Sequence, residues 1–266
     1  MKLIKIPNTL FYIIILFTVT VVIVGESPYL KDKIAPIVQN IRFKSITKNM
    51  EMKKFDNITY YYSNKKDETF INTIKEYIKE GEIKTTPLLG QTTMYPLNLV
   101  MFTTAEAFGK VFKVNPEESL AVTIFNSIYA PYDNISPYVF VHEYTHYKIN
   151  SLCKENRIPI STLPIWFQEG VAEYASSTLF SNKFKNPNIQ TIQDFRKIDK
   201  PKQILASEDK GQNAYMQSYI AVKKIIEIKG QDSIKKILIN TKSMTFYNSF
   251  EKVIGLSIED FQKLLN

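Results

Sequence analysis

Two histidines lie one helical turn apart in the stretch Val141-His142-Glu143-Tyr144-Thr145-His146, and they are the only histidines in the chain. On an α-helix, positions i and i+4 leave the same face, so both imidazoles can hold one zinc ion. Glu143 stands beside the first of them, where a carboxylate can take a proton from a water at the metal. The chemistry that suits these three residues is hydrolysis by an activated water.

A catalytic zinc site takes three protein ligands and keeps one position open. No histidine remains for the third. The positions where an extended H-E-x-x-H-x-x-G-x-x-H motif would carry Gly and His hold Ile149 and Leu152. The third ligand must then be a carboxylate. Glu169 and Glu173, within Trp166-Phe167-Gln168-Glu169-Gly170-Val171-Ala172-Glu173-Tyr174, are one turn apart on a second predicted helix. One of them can bind the metal while the other hydrogen-bonds the free ring nitrogen of a ligand histidine and fixes its tautomer. Cys153 falls on roughly the face of His146 but about 10 Å further along the axis, too far to join the same ion. It reads as a small buried residue.

The pairing of H-E-Y-T-H with W-F-Q-E-G-V-A-E-Y resembles the gluzincin class of zinc metallopeptidases, most closely the bacterial peptidase MA-like family. Similar motifs occur in clostridial-type collagenases. The resemblance covers about residues 58–266, and the region before the two motifs matches in element order only. It implies a zincin-like α+β fold, with a small mixed β-sheet subdomain, then a helical subdomain, and the active-site cleft between them. It implies one zinc ion held by His142, His146 and Glu169, with Glu173 supporting His142. The implied reaction is hydrolysis of peptide bonds, with Glu143 as general base and a peptide or protein as substrate. A hydrolase also needs a donor for the oxyanion that forms as water adds to the carbonyl. In Asn213-Ala214-Tyr215-Met216-Gln217-Ser218-Tyr219, Tyr215 matches the stabilising tyrosine of the relatives, and Tyr219 is the reserve position. No G-A-M-E-N-like motif for gripping a substrate amino terminus is present, which favours an endopeptidase.

Two readings from other classes stand beside this one. A non-catalytic, membrane-tethered binding or signalling domain on the same fold would be expected to have lost Glu143 or a ligand, and none is missing. A zinc amidase acting on a non-peptide amide of the cell wall would use the same residues, because one water attack serves any amide.

The elements that must position these groups are legible in outline. Ser136 followed by Pro137 is a helix start, with Ser as N-cap and Pro at the first helical position. The helix carrying the two histidines is predicted over residues 137–152. Ahead of it, residues 58–62 and 97–102 read as strands, and Leu120 to Tyr129 as one more. That last strand is either an interior one or an edge that holds an extended peptide by backbone hydrogen bonds. Residues 67–80 read as an amphipathic helix ended by Gly81, and Thr103 with Glu106 as a capping box for a short helix. The helix of Tyr215 should stop at Gly230, followed by helices over 232–240, 246–254 and from Ser257 to Leu265. Residues 183–211 read as irregular, with a short helix around Ile192–Ile198.

The amino-terminal part is of a different kind. Lys2 and Lys5 precede the uncharged run Thr9–Gly25, which at about 1.5 Å per residue spans about 25 Å against a hydrocarbon core of about 30 Å. It is longer than a usual signal-peptide core and has no A-x-A-like cleavage site, which favours a retained anchor over a cleaved signal. Either way, the two lysines stay inside and the remainder is expected outside the cytoplasm, anchored in the cell membrane or secreted. The domain layout expected is a membrane segment at 1–25, a juxtamembrane linker at 26–57 and the peptidase domain at 58–266. Of the 266 residues, 44% are hydrophobic and 23% charged, an ordinary globular balance. The net charge of +8 comes from scattered lysines, suited to a surface beside anionic lipid or cell-wall polymer. No nucleic-acid motif or dense basic stripe accompanies it, so nucleic acid is not an expected partner. One cysteine rules out an intrachain disulfide.

Overall fold

The structure is a computed structural model that describes residues 28–63, 70–92, 95–115, 120–179, 192–200 and 212–265. The run Thr9–Gly25, expected as an anchor or signal peptide, lies outside the described residues. Among the described residues, no helix is long and apolar enough to cross a membrane. The chain divides into two compact units, Met1–Ser45 and Ile46–Asn266. A helix, α1 (Pro28–Thr47), occupies much of the stretch expected to be linker.

In the larger unit, β1 (Glu51–Phe55) and β2 (Ile58–Tyr62) form a hairpin. Then α2 (Ile71–Leu89) leads to β3 (Leu97–Phe102), and α3 (Ala105–Phe112) leads to a second hairpin, β4 (Val122–Ile124) with β5 (Ser127–Pro131). The sheet has five strands in the order β1-β2-β3-β5-β4. The inner pairs β2–β3 and β3–β5 are parallel, and the outer pairs are antiparallel. Parallel neighbours need a crossover between them, and α2 and α3 provide it. The remainder is mostly helical: α4 (Pro137–Asn156), α5 (Ile165–Ser176), α6 (Gln212–Lys229), α7 (Asp232–Asn240), α8 (Phe246–Ile254) and α9 (Ile258–Lys263). The architecture is thus α+β, a small mixed sheet followed by helices.

Side chains on β3 alternate as a pleated strand requires. Leu97, Leu99 and Met101 enter a core shared with Ile74 of α2 and Phe140, Tyr144 and Tyr147 of α4. Phe102 points the other way, with ring centroids 5.6 Å from Phe108 and 6.1 Å from Phe112 of α3. A second core gathers Val141, Ile149, Leu152 and Cys153 of α4 with Trp166, Phe167 and Val171 of α5, Val222 and Ile225 of α6, and Phe250 of α8. The helix α4 therefore serves both cores. At about 100° per residue, its sheet-facing aromatics lie roughly opposite His142 and His146. Each large apolar side chain buried this way contributes about 1.5–3 kcal/mol, so the helix that presents the histidines is fixed from behind.

Four local expectations are corrected. Glu51–Phe55, placed in the linker, is a strand paired with β2 in the register Lys53↔Tyr60. Its side chains are mostly exposed, so no apolar alternation marks it. The helix expected to end at Gly81 runs on to Leu89 and stops at Gly90, whose φ is 74°. Gly81 is used for packing instead, because a Cβ there would lie 2.6 Å from Cδ1 of Tyr144. The single strand expected from Leu120 to Tyr129 is a hairpin, turned at Phe125 and Asn126 with Phe125 in the left-handed region (φ 53°). A two-residue turn usually advertises itself with glycine, and this one has none. The cap of α3 is Thr104, not Thr103: its Oγ1 accepts from the Ala107 N–H at 3.2 Å. In the stretch 183–211, the ordered piece among the described residues is a 3₁₀ turn at Phe195–Ile198.

One half-buried ion pair links α2 to α4. Lys148 is only 1% exposed, and its Nζ lies 3.0 and 3.1 Å from the two carboxylate oxygens of Glu82. The Tyr144 hydroxyl donates to the same carboxylate at 2.5 Å. Burial opposes ionisation of Glu82, but the hydrogen bonds from Tyr144 and Lys148 and the Lys148 charge outweigh it and hold the carboxyl below the ordinary glutamate value. A lowered folded-state pKa contributes stability that is complete above the unfolded-state value of about 4.3 and is lost as pH falls through the lowered value. Glu82→Gln is therefore expected to be less stable than wild type at neutral pH by roughly 1–3 kcal/mol. In melts taken at successively lower pH, that gap should narrow once the pH drops below about 4. A gap that stays constant through the acid range would contradict a charge-dependent role for the pair.

Candidate metal centre

Ser136 starts α4, its Oγ accepting from the Val139 N–H at 3.3 Å, with Pro137 at the first helical position where a missing N–H costs nothing. Two turns of this helix then carry His142, Glu143 and His146. The imidazoles meet edge to face, with an interplanar angle of 71°, centroids 4.9 Å apart and their Nε2 atoms 3.2 Å apart. The second helix, α5, enters through its buried aromatics. Trp166 is fully buried, 4.5 Å from the Phe195 ring and 5.7 Å from the Phe246 ring. That anchoring brings Glu169 to the histidines: its Oε2 lies 3.3 Å from Nε2 of His142 and 3.4 Å from Nε2 of His146.

Three donor atoms thus form a nearly equilateral triangle of 3.2, 3.3 and 3.4 Å. A tetrahedral ion with bonds of about 2.0–2.1 Å has ligand-to-ligand edges of about 3.3–3.4 Å. The triangle matches one face of such a tetrahedron, so His142, His146 and Glu169 fit a single metal ion. Among the described residues, this is the one group of acidic, histidine or cysteine side chains close enough to do so. The three side chains are 15–16% exposed, enough for solvent to reach them.

The charges around the triangle favour a cation. Burial by itself would lower the His142 pKa, but the Glu169 hydrogen bond and the charges of Glu173, Glu169 and Glu143 outweigh it and push it up to about 9. For Glu169, burial would raise the carboxyl pKa, and the two imidazoles overcome that and hold it far below the usual range. Several carboxylates converging on two imidazoles leave negative charge to be neutralised, and a divalent ion would do so.

Around this triangle the structure arranges the other residues named from the sequence. Glu143 is 8% exposed, and the Thr123 hydroxyl of β4 lies 2.6 Å from its Oε2 and 2.9 Å from its backbone carbonyl oxygen. Glu173, one turn after Glu169, is buried, with its Oε1 3.8 Å from Nδ1 of His142. The other oxygen of Glu173 accepts from the Tyr138 hydroxyl at 2.6 Å. Tyr215 on α6 is half-buried, and its hydroxyl pKa is raised by burial first and then by the charges of Glu169, Glu173 and Glu143, so it keeps its proton beside these carboxylates. Tyr219, one turn on, meets a different environment. Its ring stacks with Tyr174 at 6.3 Å, and the charges acting on it are those of Tyr174 and Glu227. Cys153 is buried in the helical core, where burial pushes its thiol up to about 12.

Gly170 explains how α6 comes close enough. A Cβ at this position would be 2.4 Å from the backbone oxygen of Ser218 and 2.7 Å from Cγ2 of Val222. The glycine after Glu169 lets the Tyr215 helix lie directly on α5. Two contacts had no signal in the sequence. Tyr138 lies within the predicted helix over 137–152 and Thr123 within the predicted strand from Leu120 to Tyr129, and neither position carries a mark of its partner. Their partners, Glu173 and Glu143, are 35 and 20 residues away, across element boundaries that no local pattern joins.

Residues 78–266 match the family model of the Peptidase MA superfamily, a span that includes every residue of the triangle and its surroundings. No curated protein matches the chain.

Proposed function

The chain belongs to the peptidase MA superfamily, and from that premise we propose that it is a zinc-dependent endopeptidase of the gluzincin type, close to the bacterial MA-like group. The observation that carries this is the His142–His146–Glu169 triangle, with edges suited to a tetrahedral ion and Glu143 next in the chain to a ligand. When bound there, zinc supplies a Lewis acid that polarises a carbonyl and lowers the pKa of water.

The protein's own groups supply the rest. Glu143 accepts a proton from the attacking water and delivers it to the leaving nitrogen. The Tyr215 hydroxyl donates to the negative charge that develops on the carbonyl oxygen. Glu173, itself held by Tyr138, orients the His142 ring through its Nδ1 side. The strand β4 is the last in the sheet order, so its outer edge can pair with an extended substrate. The cleft would then lie between the sheet half and the helical half. The remaining elements of the proposal rest on sequence: residues 58–266 as part of the catalytic domain, together with the β1 strand that joins their sheet, and Thr9–Gly25 as an anchor that holds the domain outside the cytoplasm.

The test is cleavage of a peptide library and of casein by the zinc-loaded protein, with new termini read by mass spectrometry. Internal cuts are expected, without stepwise loss of single amino-terminal residues. Tyr215→Phe is expected to lower kcat roughly 100-fold with KM little changed, while Tyr219→Phe stays near wild type. Inactivity on every peptide, together with release of amines from purified wall material, would overturn the peptidase reading in favour of an amidase. Equal losses in the two tyrosine variants would overturn the role given to Tyr215.

A further inference from the structure

The general base is held from outside its own helix. We propose that Thr123, on the edge strand β4, is the positioning residue that orients the Glu143 carboxylate for proton transfer. The inference rests on the reading of Glu143 as general base.

Thr123 Oγ1 is 2.6 Å from Oε2 of Glu143 and 2.9 Å from the backbone oxygen of the same residue. One hydroxyl proton cannot serve both acceptors fully. The shorter contact, 2.6 Å to the side-chain oxygen, is the stronger. With Oε2 engaged by Thr123, Oε1 is the oxygen left to receive the proton of the attacking water. The backbone contact fixes where the hydroxyl sits, because it refers Thr123 to the main chain of α4 at the residue it orients.

The hairpin that carries Thr123 is itself fixed in place. Thr123 pairs with Ile128 of β5, and Ile128 is buried in the sheet core. At the turn, Asn150 Nδ2 of α4 donates to the Phe125 carbonyl at 2.9 Å. Two tethers, at Thr123 and Phe125, thus hold a three-residue edge strand against α4. A glutamate side chain alone on a helix has several rotamers. Here one of them is selected by a hydroxyl on a separate element. The strand proposed to receive the substrate backbone is the strand that sets the direction of the base.

Three variants test this: Thr123→Val, which keeps shape and loses the hydroxyl, Thr123→Ser, which keeps the hydroxyl, and Glu143→Gln. With zinc-loaded protein and a fluorescence-quenched peptide library, Thr123→Val is expected to lose roughly 10- to 100-fold in kcat, with KM and zinc content unchanged. Thr123→Ser should recover most of that loss. A second readout needs neither metal nor turnover. The infrared carboxylate stretch of Glu143, identified by its disappearance in Glu143→Gln, should shift in Thr123→Val and return in Thr123→Ser. Wild-type kcat in Thr123→Val, or an unshifted band, would overturn the positioning role alone. Activity retained by Glu143→Gln would instead overturn the general-base reading beneath it.

Discussion

Glu143→Gln is expected to lower peptide cleavage by about two to four orders of magnitude while leaving the metal in place. Glutamine matches glutamate in shape, so the packing around an 8%-exposed side chain persists. Its carbonyl oxygen can still accept from the Thr123 hydroxyl, which now lies 2.6 Å from Oε2. His142, His146 and Glu169 are untouched, so metal content should equal that of wild type. What the amide cannot do is accept and return a proton, a service worth about 10²–10⁴-fold in rate. Loss of cleavage with metal retained separates chemistry from binding. A variant that cleaves at more than a tenth of the wild-type rate would require another base.

Gly170→Ala should be the most damaging small substitution in the helical half. In an exposed helix, replacing Gly by Ala stabilises by roughly 0.5–1 kcal/mol. Here the sign reverses. The new Cβ would stand 2.4 Å from the backbone oxygen of Ser218 and 2.7 Å from Val222, which is fully buried. Backbone cannot rotate away as a side chain can, so α6 must retreat from α5 and surrender contacts in the larger core. Overpacking of this kind costs about 1–3 kcal/mol and more when backbone must move. Because Tyr215 lies one turn before Ser218 on the same helix, activity should fall further than stability does. Chemical denaturation of the variant, compared with its kcat, checks both parts. An unchanged denaturation midpoint would show that the two helices are not held as closely as the structure has them.

These two predictions draw on different kinds of information. The Glu143 prediction was available from the sequence, because a helix puts His142 and His146 on a shared face and Glu143 stands next in the chain to the first of them. The likeness of W-F-Q-E-G-V-A-E-Y to a known motif picked out Glu169 over Glu173; in the structure Glu169 closes the triangle, and Oε1 of Glu173 lies 3.8 Å from Nδ1 of His142. The Gly170 prediction was not available. A glycine after a ligand looks the same in sequence whether or not another helix crosses it. The same limit hid β1, whose exposed Glu-Met-Lys-Lys-Phe carries no apolar rhythm. It also hid the hairpin at Phe125, where tertiary contacts with α4 hold a turn that propensity would not favour. Gly81 misled in the opposite direction: a residue that commonly ends helices is retained inside one because Tyr144 leaves no room for a side chain. In each case the missing information is a contact between elements distant in the chain. That is also why Thr123 and Tyr138 emerge only from the folded arrangement.

The most direct test of the central claim is the metal content of the folded protein by elemental analysis, wild type beside Glu169→Ala and His146→Ala. The triangle of 3.2, 3.3 and 3.4 Å predicts close to one zinc per wild-type chain, with retention sharply reduced in both variants while their helical signal persists. A well-folded wild type that takes up no zinc from a buffered excess, or variants that hold it as tightly as wild type, would contradict the metal centre and with it the hydrolytic function built upon it.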